Sequence, residues 1–178
     1  MNIAEKLTTI AENEQRVYNA GYEKGKAEGG SDDFFNLRTN NGQNFAYLFC
    51  VCNHLTTAPL LDTSKGIRFD YMFNGCGSLV TIPLLNVSNA SSTIASSLNF
   101  IVGSCSKLEN ITFEGTIPKT ISFNACSKLT EASLESIITA LKDLNGQTSQ
   151  TITLHDTCKA KLTAEQIEMI QNKNWILA

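Results

Sequence analysis

Two short stretches carry the residue types that reactive chemistry would use. Cys50, Cys52 and His54 alternate, as ligands on one face of a metal-binding strand would. His155, Asp156 and Cys158 place an imidazole, a carboxylate and a thiol close together, the ingredients of an activated cysteine nucleophile. Neither set is complete. Zinc needs four ligands, and no second pair stands near Cys50 and Cys52 in the sequence. A loop following a strand accounts equally well for residues 155–158. Around Gly25 and Lys26 the chain resembles a phosphate loop only superficially, because Ala20 and Ala27 stand where glycine and a hydroxyl residue are required. Asn86, Asn89 and Asn110 head glycosylation-type triplets that read as polar turns. There is no carboxylate pair at a recognisable spacing. The expectation is a protein that is not an enzyme, with no catalytic residues, no bound metal and no cofactor.

The cysteines have a better explanation, which lies in the elements that hold them. Four segments superpose: FCVCNHL at 49–55, FNGCGSL at 73–79, VGSCSKL at 102–108 and FNACSKL at 123–129. Each reads aromatic or aliphatic, two residues, Cys, two residues, Leu. The frame cysteines Cys52, Cys76, Cys105 and Cys126 are separated by 24, 29 and 21 residues. After the leucine the pattern recurs as LTTAPLLDTS, LVTIPLLNVS and, loosely, LENITFEGTIP. A period in the twenties with Leu and Cys at fixed offsets indicates a leucine-rich-repeat-type solenoid.

One coil supplies the physics. Its Leu and Ile alternate inward from a short strand, about residues 79–82 in the second coil, which Pro83 is expected to end because proline lacks an N–H for the ladder. The Phe-x-x-Cys stretch is a tight turn that drops the ring and the small thiol inside. A single coil cannot cover its own core, so neighbours must stack on it. The four frame cysteines should then form a buried, reduced structural ladder, since a free thiol behaves as a small hydrophobe.

The whole chain has 178 residues, enough for one domain with a real core. Charged residues make up only 17%, and Asn, Ser, Thr and Gly fill the gap. A net charge of −3 with no basic stretch argues against nucleic acid as a partner. No apolar run is long enough to span a membrane. The start, MNIAEKLTTIAENEQ, has neither the basic beginning nor the apolar stretch of an export signal, so export is not expected.

Three parts follow. Residues 1–30 read as a helix in which Ile3, Leu7, Ile10, Val17 and Gly21 fall on alternating steps of three and four, an imperfect heptad seam. A lone helix with one thin stripe needs a partner. Residues 1–28 are therefore expected to anchor the chain or make it oligomeric, with Gly29 to Asp33 as a hinge. Residues 34–130 are the repeat. Residues 131–178 read as a helix–strand–helix cap. An amphipathic helix over 130–144 buries Leu134, Ile137, Ile138, Leu141 and Leu144 and is stopped by Asn145–Gly146. A strand follows at 151–154, then a capping box at 163–166 opening a helix to about 172, and a last strand at 175–177.

The Phe-x-Gly-Cys-x-x-Leu-x-x-Ile-Pro frame, followed by Leu-Asn-Val-Ser or Leu-Asp-Thr-Ser, resembles BspA-type leucine-rich repeats. Those occur in bacterial surface proteins and in tail or baseplate proteins of phages and prophages of Firmicutes. The ending from LTEASLESIITALKDLNG to QNKNWILA and the start IAENEQRVYNAGYEKGKAEGG are similar to the closing and leading segments of the phage-associated members. The resemblance implies an α+β repeat protein and a virion part: a coiled-coil-anchored, non-enzymatic tail or baseplate protein that adheres to the host. It assembles in the host cytoplasm and associates through residues 1–28 with itself, a homotrimer being favoured, or with other tail proteins. A bacterial cell-surface adhesin is the alternative, disfavoured by the missing export signal.

A solenoid meets its partner with the same position of successive coils. The exposed strand alternates Thr56, Val80, Glu109 and Glu131 are expected on one such face, with Tyr47, Tyr71 and Arg68 as candidates for stacking against a sugar. Weak charge and many hydroxyl and amide side chains suit a host surface glycan or protein bound by many short hydrogen bonds.

Overall fold

The computed structural model describes residues 39, 41–91, 98 and 100–178. The expected helix over 1–30, its hinge and its role in assembly lie outside these residues. Consecutive segments pair in parallel, each lying beside the one before it. Asn44 bridges Arg68, Thr57 bridges Thr81 and Ile117 bridges Leu141, all in parallel. β1 (Thr81–Asn86) pairs with β2 (Asn110–Glu114), Ile82 opposite Ile111. A second parallel sheet has the order β3 (Ile121–Phe123), β4 (Gln150–Leu154), β5 (Trp175–Leu177). Helices α1 (Glu131–Ala140), α2 (Asp156–Lys159) and α3 (Ala164–Asn172) occupy the C-terminal third.

One continuous apolar core runs from Phe45 to Trp175. The frame leucines Leu55, Leu79, Leu108 and Leu129 are each no more than 1% exposed. Phe45 stacks on Phe69 with ring centroids 5.5 Å apart, and Phe49 on Phe73 at 5.3 Å. The interior is thus filled by like side chains lying over like, the packing that parallel in-register segments impose.

The sequence reading needs three local corrections. Pro83 does not end its strand: β1 starts at Thr81 and runs through the proline, with the register shifting between Ile82 and Leu85. A bulge removes the residue without an N–H from the ladder and lets pairing resume. The first helix is shorter than 130–144. Thr130 caps it, accepting from the Ser133 N–H, but Leu141 turns extended because it pairs with Ile117. Leu141 and Leu144 are still buried, off the helix. Finally, the loop expected at 155–158 is the short helix α2.

Helix α1 can lie beside β2 because two of its serines accept the hydrogen bonds that a neighbouring strand would. The Ile111 N–H donates to Ser133 Oγ at 3.0 Å and the Phe113 N–H to Ser136 Oγ at 2.9 Å. Ser133 Oγ in turn donates to the Glu109 carbonyl at 3.0 Å. The hydroxyls thereby satisfy edge N–H groups that would otherwise be buried unpaired. At the end of the chain the Thr163–Gln166 capping box opens α3, and the Trp175 indole donates to the Lys142 carbonyl at 2.8 Å.

Candidate functional site

The frame turns have a regular backbone logic. In the first, Leu48, Cys50 and Cys52 donate their N–H groups to the carbonyls three residues back, while Phe45, Tyr47, Phe49 and Val51 donate to Arg68, Asp70, Met72 and Asn74 of the next segment. Successive turns of this kind put every other residue at a third turn position. Two of these positions per segment have positive φ: Tyr47 and Val51 (62° and 64°), Tyr71 and Gly75 (58° and 79°), Phe100 and Ser104 (51° and 62°). Glycine is the usual residue at such a position, and here only Gly75 is one.

The left-handed backbone places Tyr47, Tyr71 and Phe100 at the surface, while Leu48, Asp70, Met72 and Ile101 beside them are buried. Their rings form a surface column, with Tyr71 half-buried between the other two. Tyr47 stacks on Tyr71 at 4.9 Å and 7°, and Tyr71 on Phe100 at 5.3 Å and 27°. Tyr47 and Phe100 are 42% and 45% exposed, and Val51 beside them is 44% exposed. Holding an L-residue left-handed costs about 1–2 kcal/mol, so the three ring positions cost roughly 3–6 kcal/mol. Two stacked pairs return about 1–3 kcal/mol beyond the area they bury. The same left-handed backbone recurs at Val51 and Ser104, so it belongs to the repeating turns, and the rings are what distinguish this column.

The column has a polar border. Arg68 Nε and Nη2 donate to the Asp70 carboxylate at 3.1 and 2.9 Å, a bidentate pair with Asp70 buried and Arg68 half-exposed. Tyr47 donates its backbone N–H to the Asp70 carbonyl, so the pair and the rings share one backbone ladder. Partial burial first, then the Asp70 carboxylate, push the Tyr47 phenol above its ordinary pKa, keeping it a protonated donor. The expectation of sugar stacking on Tyr71 is corrected by geometry: Tyr47 covers one of its faces and Phe100 the other. At Tyr71 the column presents the ring edge and the phenol group.

The other expected face lies in a separate column. The N–H groups of Val80 and Thr81 donate to the Thr56 carbonyl, those of Glu109 and Asn110 to the Val80 carbonyl, and that of Thr130 to the Glu109 carbonyl. Thr56 is exposed and Val80 half-buried. The column continues to Thr130, not Glu131, which is the first residue of α1. The structure therefore brings Arg68, Tyr47 and Tyr71 together and sets Thr56 and Val80 apart from them.

Cys52, Cys76, Cys105 and Cys126 are buried thiols, none of them joined in a disulfide. The Cys76 thiol donates to the Phe49 carbonyl at 2.9 Å, Cys105 to Phe73 at 3.0 Å and Cys126, more weakly, to Val102 at 3.8 Å. Each thiol thus reaches the aromatic or aliphatic frame residue of the preceding segment. Cys158 adds a rung that the sequence reading left out, donating to the Cys126 carbonyl at 3.1 Å. It escaped notice because Leu162 follows it by four residues instead of three. Burial is the leading cause that raises the pKa of Cys52 to about 11 and of Cys105 and Cys126 to about 12. Such thiols are poor nucleophiles.

The two reactive-looking stretches come apart on inspection. His155 Nδ1 caps α2, accepting from the Thr157 N–H at 3.2 Å, while Cys158 points into the core toward Cys126. Cys50 is buried with Asn74 Nδ2 3.9 Å from its sulfur, and His54 is exposed. Among the described residues no group of three metal-capable side chains assembles, and no helix is long and apolar enough to cross a membrane.

Phe100 and Val51 were missed by sequence reasoning, although a signal exists. Tyr47, Tyr71 and Phe100 each stand five residues before a frame cysteine. No family model, no curated protein and no solved structure matches this chain.

Proposed function

We propose that this chain is a non-enzymatic adhesion protein of a phage or prophage tail, an α+β protein whose repeat is a short BspA-like leucine-rich-repeat solenoid. The parallel pairing of segments at the period of the Phe-x-x-Cys-x-x-Leu frame supports the architecture. In this reading residues 1–28 attach the chain to copies of itself or to other tail proteins. The observation that carries the adhesive role is the surface ring column, in which Tyr47, Tyr71 and Phe100 stack on one another from three successive segments with the two end rings exposed. Ring edges, two phenol groups and the half-exposed Arg68 suit a polar, hydroxyl-rich ligand lying along the column, such as a cell-wall glycan.

The test uses asparagine, which tolerates the left-handed backbone and removes the ring. A Tyr47→Asn, Tyr71→Asn, Phe100→Asn variant is compared with the unaltered protein on a glycan array and on host cells. Folding is checked by the thermal midpoint. Loss of binding by a folded variant is the expected result. Undiminished binding removes the column from the adhesive surface.

A further inference from the structure

The chain contains three Asn–Gly pairs, at Asn41–Gly42, Asn74–Gly75 and Asn145–Gly146. Such a pair can convert itself without an enzyme. The glycine nitrogen loses its proton and attacks the asparagine Cγ, ammonia leaves, and the resulting five-membered imide is opened by water to aspartate or isoaspartate. Glycine favours the attack because no Cβ obstructs it. The first step requires the glycine N–H proton to be free, so a hydrogen bond to that N–H protects the pair until the backbone opens locally.

The structure treats the three pairs differently. The Gly42 N–H donates to the Thr39 carbonyl at 2.8 Å, and the Gly75 N–H to the Gly103 carbonyl at 2.7 Å. Asn41 is further held by Lys65 Nζ on its Oδ1 at 2.8 Å, and Asn74 is half-buried with its amide 3.9 Å from Cys50 Sγ. At the third pair both residues are exposed, and among the described residues nothing accepts from the Gly146 N–H. Nothing lies within 4 Å of where a Gly146 Cβ would be, so there is room for the ring closure. The Asn145 amide makes one bond, from Nδ2 to the Asn172 carbonyl at 2.9 Å, and its Oδ1 makes none.

We propose that Asn145 is the chain's site of spontaneous deamidation, selected among the three Asn–Gly pairs by its unbonded glycine N–H. The conversion has a structural consequence. It replaces the amide that donates to the last carbonyl of α3 with a carboxylate that cannot donate, and isoaspartate adds a methylene to the backbone at a turn held by the Leu144 N–H on Lys173 and the Gln147 N–H on Leu144. The turn joining α1 to β4 is thereby loosened from the end of α3.

The full chain is incubated in mildly alkaline buffer, folded in one arm and in concentrated urea in the other. Peptide mass spectrometry follows the amide-to-acid mass change and the paired aspartate and isoaspartate products. In the folded arm Asn145 should convert at least about tenfold faster than Asn41 or Asn74, on the reasoning that local opening governs protected amides. In urea the three rates should converge within a few-fold, because their local sequences are alike. Equal folded rates, a faster Asn41 or Asn74, or no conversion at Asn145 would overturn the proposal. So would a gap that persists unchanged in urea, which would assign the selectivity to sequence.

Discussion

Raising the pH should unfold this protein through its buried thiols. Cys52, Cys105 and Cys126 are at most 1% exposed. Burial, the leading cause, lifts them from an ordinary 9.0 to about 11, about 12 and about 12. Cys76 is raised as well, again by burial first, with the neighbouring thiols Cys105 and Cys52 adding to it. In the unfolded chain all four give up protons near the ordinary value. Above 9.0 the folded state therefore binds more protons than the unfolded one, and unfolding free energy falls as pH rises. The contribution is complete below that value and is lost as pH climbs through the folded ones.

Each thiol changes stability by about 1.4 kcal/mol per pH unit within its window. Four acting together give roughly 5 kcal/mol per unit, against a total stability of about 5–15 kcal/mol for a typical domain. Unfolding is then expected about one to three pH units above the ordinary thiol value. Urea unfolding at stepped pH measures the slope, and ultraviolet thiolate absorbance reports whether any thiol ionises before the fold is lost. Cys105→Ala should reduce the slope by about a quarter, since one of four groups is gone. Stability that stays flat across this window would refute the reasoning.

Two substitutions test the packing itself. Leu79 is 0% exposed, so Leu79→Ala should leave a cavity costing about 2–5 kcal/mol. Its thermal midpoint should fall by roughly 4–20 °C, and an unchanged midpoint would remove Leu79 from the core. Gly115 has φ of +86°, and a Cβ there would lie 2.6 Å from the Ser88 backbone N and Cα, so Gly115→Ala should cost about 2–4 kcal/mol in urea unfolding. Gly146→Ala, at φ +75° with open space around it, should cost only about 1 kcal/mol, and equal costs would contradict the close approach of Ser88 to Gly115.

The parallel stacking was legible because the frame repeats the same side-chain volume at the same offset. An interior of like over like leaves a periodic trace in the sequence. Where the chain departs from the period, the reading failed for local reasons. Pro83 looked like a strand end because an isolated strand cannot accept it, and only the pairing partner shows that a bulge can. Residues 141–144 continued the helical periodicity, but Ile117, more than twenty residues earlier, claims Leu141 for a parallel bridge. No local pattern records that competition. Cys158 hid behind a single extra residue before Leu162.

The ring column shows how far such legibility extends to a surface. Its offset of five before the frame cysteine recurs three times and then yields Ile121, which is buried. The change follows from the backbone. In the first three segments this position is a left-handed turn residue facing out, whereas residues 121–123 form β3, in which Ile121 and Phe123 both face in and Ser122 alternates outward. The column stops where turn gives way to strand, so its length is set by the backbone and not by the supply of aromatic residues. Among the described residues the column is three rings long. The Thr56, Val80, Glu109 and Thr130 ladder, by contrast, continues across all four frame segments, because strand and turn alike can pass a backbone hydrogen bond to the next segment.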